Sequence, residues 1–238
     1  MGTELRGTMD SPEREAPLFP GEKGGGGKRR LVFSAQSRIG DESAWLRRAL
    51  ENRISVLVIP LCPGPSFFPR PALFRRFDRL CRRAEKEGLV IERGGWDLTG
   101  LLSLNIFSGS QWRRMDRGKR VRDCNFCPTN PELLEHLKRR ARRLFERCPR
   151  TGVFHLWPDR GHENAWCSCP ACRAFSGEEQ NLMAVSAAAD ALLEINPEAR
   201  LSYFAGGGEG SRLKGRPNTF GLSRLPGQDG AERDGWFL

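Results

Sequence analysis

A parallel α/β fold, a TIM-barrel-like (β/α) domain of about five βα units, is what this 238-residue sequence predicts. Three observations carry that expectation. Short apolar runs alternate with amphipathic helical stretches from position 31 to position 205. The run ISVLVIPL at 54–61 is uninterrupted and β-branched, as in parallel strands buried on both faces. Ionisable residues cluster just past the ends of the apolar runs, where α/β folds house their chemistry.

The first 30 residues, with SPEREAP and GEKGGGGKRR and no hydrophobic period, read as a disordered leader. LVFSA at 31–35 is the first strand, and 42–52 is a helix with Trp45, Leu46, Ala49 and Leu50 on one face. After the strand at 54–61, the stretch 71–87 places Leu73, Phe74, Phe77, Leu80, Cys81 and Ala84 on a buried stripe. Its Arg75, Arg76, Arg79, Arg82 and Arg83 point out, and Gly88 stops the helix. LVIE at 89–92 is the third strand, left through two glycines where the backbone must turn.

A long connection, 99–129, carries Trp112 and the basic stretch RGKRVRDCNFC. Asn130, Pro131 and Glu132 then form a helix start: a capping side chain, a first-turn proline and an early carboxylate. That helix runs to about 147 and buries Leu133, Leu134, Leu137, Ala141, Leu144 and Phe145. The fourth strand is 152–157, the next helix about 178–195 and the fifth strand 200–205.

A closed barrel needs eight such units and roughly 200 residues or more. The expectation is therefore an open sheet or an incomplete barrel over 31–205. The glycine-rich tail 206–238 reads as unstructured, truncated or out of frame.

The chain carries a formal charge of +10 and has an isoelectric point near 9.7, which would ordinarily raise nucleic acid as a partner. The 33 arginines against six lysines discount that reading, because a GC-rich coding sequence yields the same skew. Positions 113–150 do hold a local peak of basic residues. No stretch approaches the roughly 20 apolar residues of a membrane span, and no secretory signal is visible, so a cytoplasmic protein is expected.

Two constellations could carry chemistry. Cys167, Cys169 and Cys172 lie within six residues, and Cys127 or Cys124 could complete a tetrahedral zinc site. The plainer reading has these thiols merely bracing a loop. Secondly, Glu92 and Asp159 follow the third and fourth strands, with Glu163 and His162 nearby. A pair of carboxyl groups flanking one bond is what glycoside hydrolysis requires. Trp96, Trp157 and Trp166 lie near the same proposed rim, where their rings could stack on a sugar. Against this, Glu92 could simply pair with an arginine, and His155, inside a strand, reads as a core histidine.

The segments IERGGWDLTGLL, DCNFCPTNPELLEHL, LWPDRGHENAWCSCPACRAF and NLMAVSAAADALLEINPEARLSYFA resemble the bacterial family known as domain of unknown function 4838. That family is similar to the TIM-barrel glycoside hydrolases around α-glucuronidase. The resemblance spans about 54–205; the aspartate before the C-x-C-x-x-C run is its most specific part. It implies a (β/α) barrel acting on, or descended from enzymes acting on, carbohydrate.

The leading expectation is thus a glycoside hydrolase-like enzyme with Asp159, Glu92 and His162 as catalytic candidates. Trp96, Trp157, Glu163 and Trp166 would bind substrate. The alternative is a non-catalytic, zinc-stabilised basic module binding nucleic acid through the arginines of 113–150. The direction of those arginines separates the two.

Overall fold

The computed structural model describes residues 30–32, 42–61, 71–95, 98–102, 111–121, 125–158, 165–204 and 212–222. Six strands form one parallel sheet: β1 (Arg30–Val32), β2 (Val56–Ile59), β3 (Val90–Gly95), β6 (Val153–Leu156), β7 (Arg200–Phe204) and β8 (Thr219–Leu222). Between β3 and β6 a small antiparallel hairpin, β4 (Met115–Asp116) and β5 (Lys119–Arg120), stands outside the sheet. The helices are α1 (Glu42–Glu51), α2 (Pro71–Lys86), α3 (Pro131–Phe145) and α4 (Gly177–Ile195). Each strand of the large sheet lies beside its predecessor in that sheet, with no reversal of order.

Register shows that the helices cover one face. Leu57 pairs with Ile91 and Arg93 with Phe154, and Phe154 with Leu201, so these side chains share a face. Leu57 and Ile91 pack in the cluster of Leu46, Ala49, Phe77, Leu80 and Ala84 from α1 and α2. Phe154 and Leu201 pack in the cluster of Leu137, Ala141, Val185 and Ala188 from α3 and α4. Successive right-handed crossovers produce this one-sided arrangement. The other face carries Val32, Val56, Val58, Glu92, His155, Trp157, Ser202 and Phe204. The mixed α/β architecture with a largely parallel sheet is as expected; closure into a barrel is absent among the described residues, where β1 and β8 are edge strands.

The helical patterning holds in detail. Phe77, Leu80, Cys81 and Ala84 are buried while Arg75, Arg76, Arg79, Arg82 and Arg83 are exposed. The side chains of Trp45, Leu73 and Phe74 lie outside the described residues. Leu50, expected on the buried face of α1, is exposed instead in its last turn. Asn130 caps α3 as expected, accepting from the Leu133 N–H at 3.0 Å. Helix α4 opens with a capping box, in which Ser176 and Glu179 satisfy each other's backbone N–H groups.

Two expectations are corrected. Gly94 and Gly95 do not end the third strand; β3 runs through them and pairs them with His155 and Leu156. Gly94 sits at φ +117°, and a Cβ there would collide with the backbone carbonyl of His155, so the strands approach closely only because the side chain is missing. The second correction concerns the tail, where β8 adds a sixth parallel strand. Its four residues lie among glycines and a proline, too short a run to show a period. They are held from outside: Arg212 pairs with Glu179 at 3.1 Å, Arg216 with Asp190 at 2.6 Å, and the Leu201 N–H donates to Asn218 O.

Candidate functional site

Four thiols converge beside the hairpin. Cys127 comes from the turn that leads into α3; Cys167, Cys169 and Cys172 come from the loop between β6 and α4. All four are buried, and their sulfur atoms lie within 4.8 Å of one another. Cys127 Sγ is 3.8 Å from Cys169 Sγ and 3.7 Å from Cys172 Sγ. Cys124 lies outside the described residues; among those described, Cys127 is the cysteine that the earlier segment brings to the cluster.

The loops reach this geometry through backbone bonds that the surrounding sequence supplies. Gln180, buried in the first turns of α4, accepts from the Cys167 N–H at 3.0 Å. Its amide also donates to the carbonyls of Cys167 at 3.1 Å and Phe175 at 3.2 Å. Asn125, also buried, donates to Ala165 O at 2.6 Å, tying the two cysteine segments together. The Cys127 N–H donates to Trp112 O and the Ser168 N–H to Met115 O, each at 2.8 Å. Helical turns follow at once, with the N–H groups of Cys172 and Arg173 both bonded to Cys169 O.

Donors also point at the sulfurs. The Met115 N–H lies 3.2 Å from Cys167 Sγ. The Thr129 hydroxyl sits 3.1 Å from Cys172 Sγ and 3.4 Å from Cys127 Sγ. Hydrogen bonding from the Cys167 thiol, against a burial cost and with help from Thr129 and Cys172, holds Cys127 down at about 4. The same bond, with burial behind it, drives Cys167 far above the ordinary thiol value. Burial raises Cys172 to about 11. The cluster therefore accepts one negative charge readily and resists a second unless a cation arrives.

On the sheet face opposite α1–α4 the second constellation takes a different form. Glu92 is buried and accepts from Arg30 Nε at 2.8 Å and Arg30 Nη2 at 3.2 Å. His155 Nε2 lies 2.8 Å from the same carboxylate, and His155 Nδ1 lies 2.6 Å from Ser202 Oγ. Trp157 Nε1 donates to Ser202 Oγ at 3.0 Å. Burial alone would raise the Glu92 carboxyl, but bonds from His155 and Arg30 outweigh it and hold it at about 2. Burial pushes His155 below its ordinary value despite the neighbouring carboxylate, so it is neutral. One proton arrangement then satisfies the row: Trp157 N–H to Ser202, Ser202 O–H to His155 Nδ1, and His155 Nε2–H to the Glu92 anion.

Glu92 thus has the arginine partner and His155 the core position that the plainer sequence readings gave them. Trp157 packs against Val32, Val56 and Val58, and Trp166 edge-on against Phe126 at 5.8 Å. Both rings are buried, so neither offers an open face to a sugar. Asp159, His162, Glu163 and Trp96 lie outside the described residues. Nothing local in the sequence points to Ser202 or Arg30, which lie 47 and 62 positions from His155 and Glu92 and carry no motif.

No protein-family model matches the chain, and no curated protein matches it.

Proposed function

We propose that this chain is a zinc-binding α/β protein in which Cys127, Cys167, Cys169 and Cys172 hold one structural Zn²⁺. The single observation behind the proposal is the sulfur spacing. Four thiolates at the zinc–sulfur distance of about 2.3 Å occupy a tetrahedron with edges of about 3.8 Å. The sulfurs of Cys127, Cys169 and Cys172 already lie 3.7 and 3.8 Å apart. A four-iron cluster holds its cysteines around a core of several ions and would spread them further.

Four protein ligands leave no open coordination position, which marks the ion as structural rather than catalytic. The donors from Met115 and Thr129 are the second layer that such thiolates require. When bound, the ion ties the hairpin, the start of α3 and the loop before α4 into one unit. The test is the zinc content of the purified chain, alongside that of the Cys167→Ser, Cys169→Ser double variant. About one zinc per wild-type chain, lost in the variant together with stability, supports the reading; a metal-free, equally stable wild type overturns it.

A carbohydrate-active reading draws support from a different observation. The strands lie in sequential order with helices on one face, and the opposite face carries the Glu92 carboxylate. In that reading Glu92, buried and held ionised between Arg30 and His155, fixes the strand end beside the site and is not the proton donor, whose affinity for its proton must be raised. The acid then falls to Asp159, with His162 assisting. Hydrolysis of nitrophenyl glycosides, abolished in Asp159→Asn, supports this reading; no turnover of any pyranoside in the zinc-loaded protein overturns it.

A further inference from the structure

The basic residues of this chain fall into three groups, one of which marks a second surface. On α3, three of them bond to the rest of the fold. Arg142 and Lys138 pair with Glu194 at 2.7 and 2.8 Å, and Arg140 Nε donates to Leu101 O at 3.1 Å. Those on α2 alternate with the exposed Asp78 and Glu85. The hairpin has bonds of its own, Arg114 Nη1 donating to Trp166 O at 3.4 Å and Arg120 Nη1 to Arg113 O, but its charge is far less balanced. Within 113–120 it carries Arg113, Arg114, Arg117, Lys119 and Arg120 against one acid, Asp116, which lies 3.6 Å from Arg114. Arg117, Lys119 and Arg120 are exposed.

The tip is rigid by construction. Arg117 and Gly118 both take positive φ, +46° and +78°, which is a tight two-residue hairpin turn. Met115 and Ser168 bolt the hairpin to the cysteine loop. Cations held on a short rigid ribbon lose less freedom on meeting an anion than cations on a flexible tail. Arg173, exposed beside Cys172, adds a further charge near the same cluster. Together these exceed the two negative charges that a zinc tetrathiolate would carry, so the region stays cationic with the metal bound.

An aromatic ring accompanies the charge. Trp112, half-buried, immediately precedes Arg113; it packs partly against the core cluster of Leu101, Phe126 and Leu133, with its ring centroid 5.5 Å from that of His136. A ring next to a line of phosphate-seeking cations is the combination used on unstacked bases, and duplex bases cannot reach such a ring. From Arg113 to Arg117 the extended backbone covers on the order of 13 Å, about the length of two nucleotides.

We infer that the β4–β5 hairpin, with Trp112 at its base, is a binding surface for single-stranded nucleic acid. The cations contact phosphates, and the indole stacks on a base. The inference is independent of the zinc proposal, since the charges and the ring are present with or without the ion.

The test is fluorescence anisotropy of a labelled mixed-sequence RNA oligonucleotide of about 12 nucleotides, titrated with the full chain at several salt concentrations. Three proteins are compared: wild type, Arg117→Gln with Lys119→Gln, and Arg82→Gln with Arg83→Gln on α2. Both variants remove two exposed charges and leave the cysteines alone; circular dichroism confirms that each folds. The hairpin variant should bind at least tenfold more weakly, with a salt slope shallower by about 1.4. The α2 variant should stay within twofold of wild type. Equal losses in both variants would overturn the inference, since net charge would then explain everything. No binding at low salt, or competition by heparin as effective as by unlabelled RNA, would overturn it too.

Discussion

The cysteine pocket and the polar row on the sheet are both buried clusters of ionisable groups, yet they are completed in opposite ways. In the row, unlike groups meet: the indole of Trp157, the hydroxyl of Ser202 and the neutral imidazole of His155 pass hydrogen bonds toward the Glu92 carboxylate, which the Arg30 guanidinium meets from the other side. Nothing further is needed for its electrostatic balance. In the pocket, four like groups crowd together, and the donors that reach them, the N–H groups of Met115, Cys169 and Thr129 and the Thr129 hydroxyl, carry no full positive charge. Burying a charge is tolerable when a partner accompanies it. One cluster brings its partner in the sequence; in the zinc-binding reading the other collects it from solution.

The largest effect expected from that contrast is at the pocket. Cys169→Ser should cost more than about 4 kcal/mol in the metal-loaded protein, because binding free energy at a structural site is folding free energy. A chelator added to the wild type should reproduce the loss, as read by the denaturation midpoint. The row should ignore the chelator's direct action and respond to its own mutation. Glu92→Gln leaves Arg30 and His155 without their anion, and about 3 kcal/mol should be lost.

Acid probes the same row without mutation. His155 is depressed by burial, so stability should begin to fall as pH drops below the ordinary histidine value, where the unfolded chain takes up a proton that the folded imidazole refuses. Glu92 is depressed from 4.5 to about 2, so its contribution is full above 4.5 and disappears as pH falls through about 2. That second stage amounts to about 3 kcal/mol and should be missing from the acid titration of Glu92→Gln.

A comparable effect is expected from backbone geometry beside the row. Gly94→Ala places a methyl group against the His155 carbonyl at a positive φ, and roughly 3 kcal/mol should be lost in denaturant unfolding. The smallest effect tests the support of the pocket. Ser176→Ala removes the cap of α4, the helix that presents Gln180 to the cysteine loop, and should cost about 1 kcal/mol without changing the metal content.

The fold was largely legible because its signals are local. The stripe of Phe77, Leu80 and Ala84, the Asn130 cap and the β-branched run of β2 each declare an element within a few residues. β8 was not legible, since its place depends on Arg212 and Arg216 reaching Glu179 and Asp190 across the fold. The three close cysteines announced themselves, and Cys127 was legible only as one of two possible fourth ligands. Its place in the cluster depends on the chain returning through the hairpin, which no spacing rule encodes. Ser202 sits in an ordinary-looking strand, and its bond to His155 follows from strand register alone. Trp157 and Trp166 misled for the same reason: position after a strand does not reveal whether a ring faces solvent or, as here, lies buried.

Whether Cys127, Cys167, Cys169 and Cys172 bind one ion between them is tested by titrating the metal-free, reduced chain with Co²⁺, since tetrahedral thiolate-bound cobalt gives intense visible and charge-transfer bands. A shared site predicts bands that saturate at one cobalt per chain, vanish on adding one equivalent of zinc, and are lost in Cys127→Ser. A chain that develops no tetrahedral bands, while all four thiols stay open to a thiol reagent with zinc present, would contradict it.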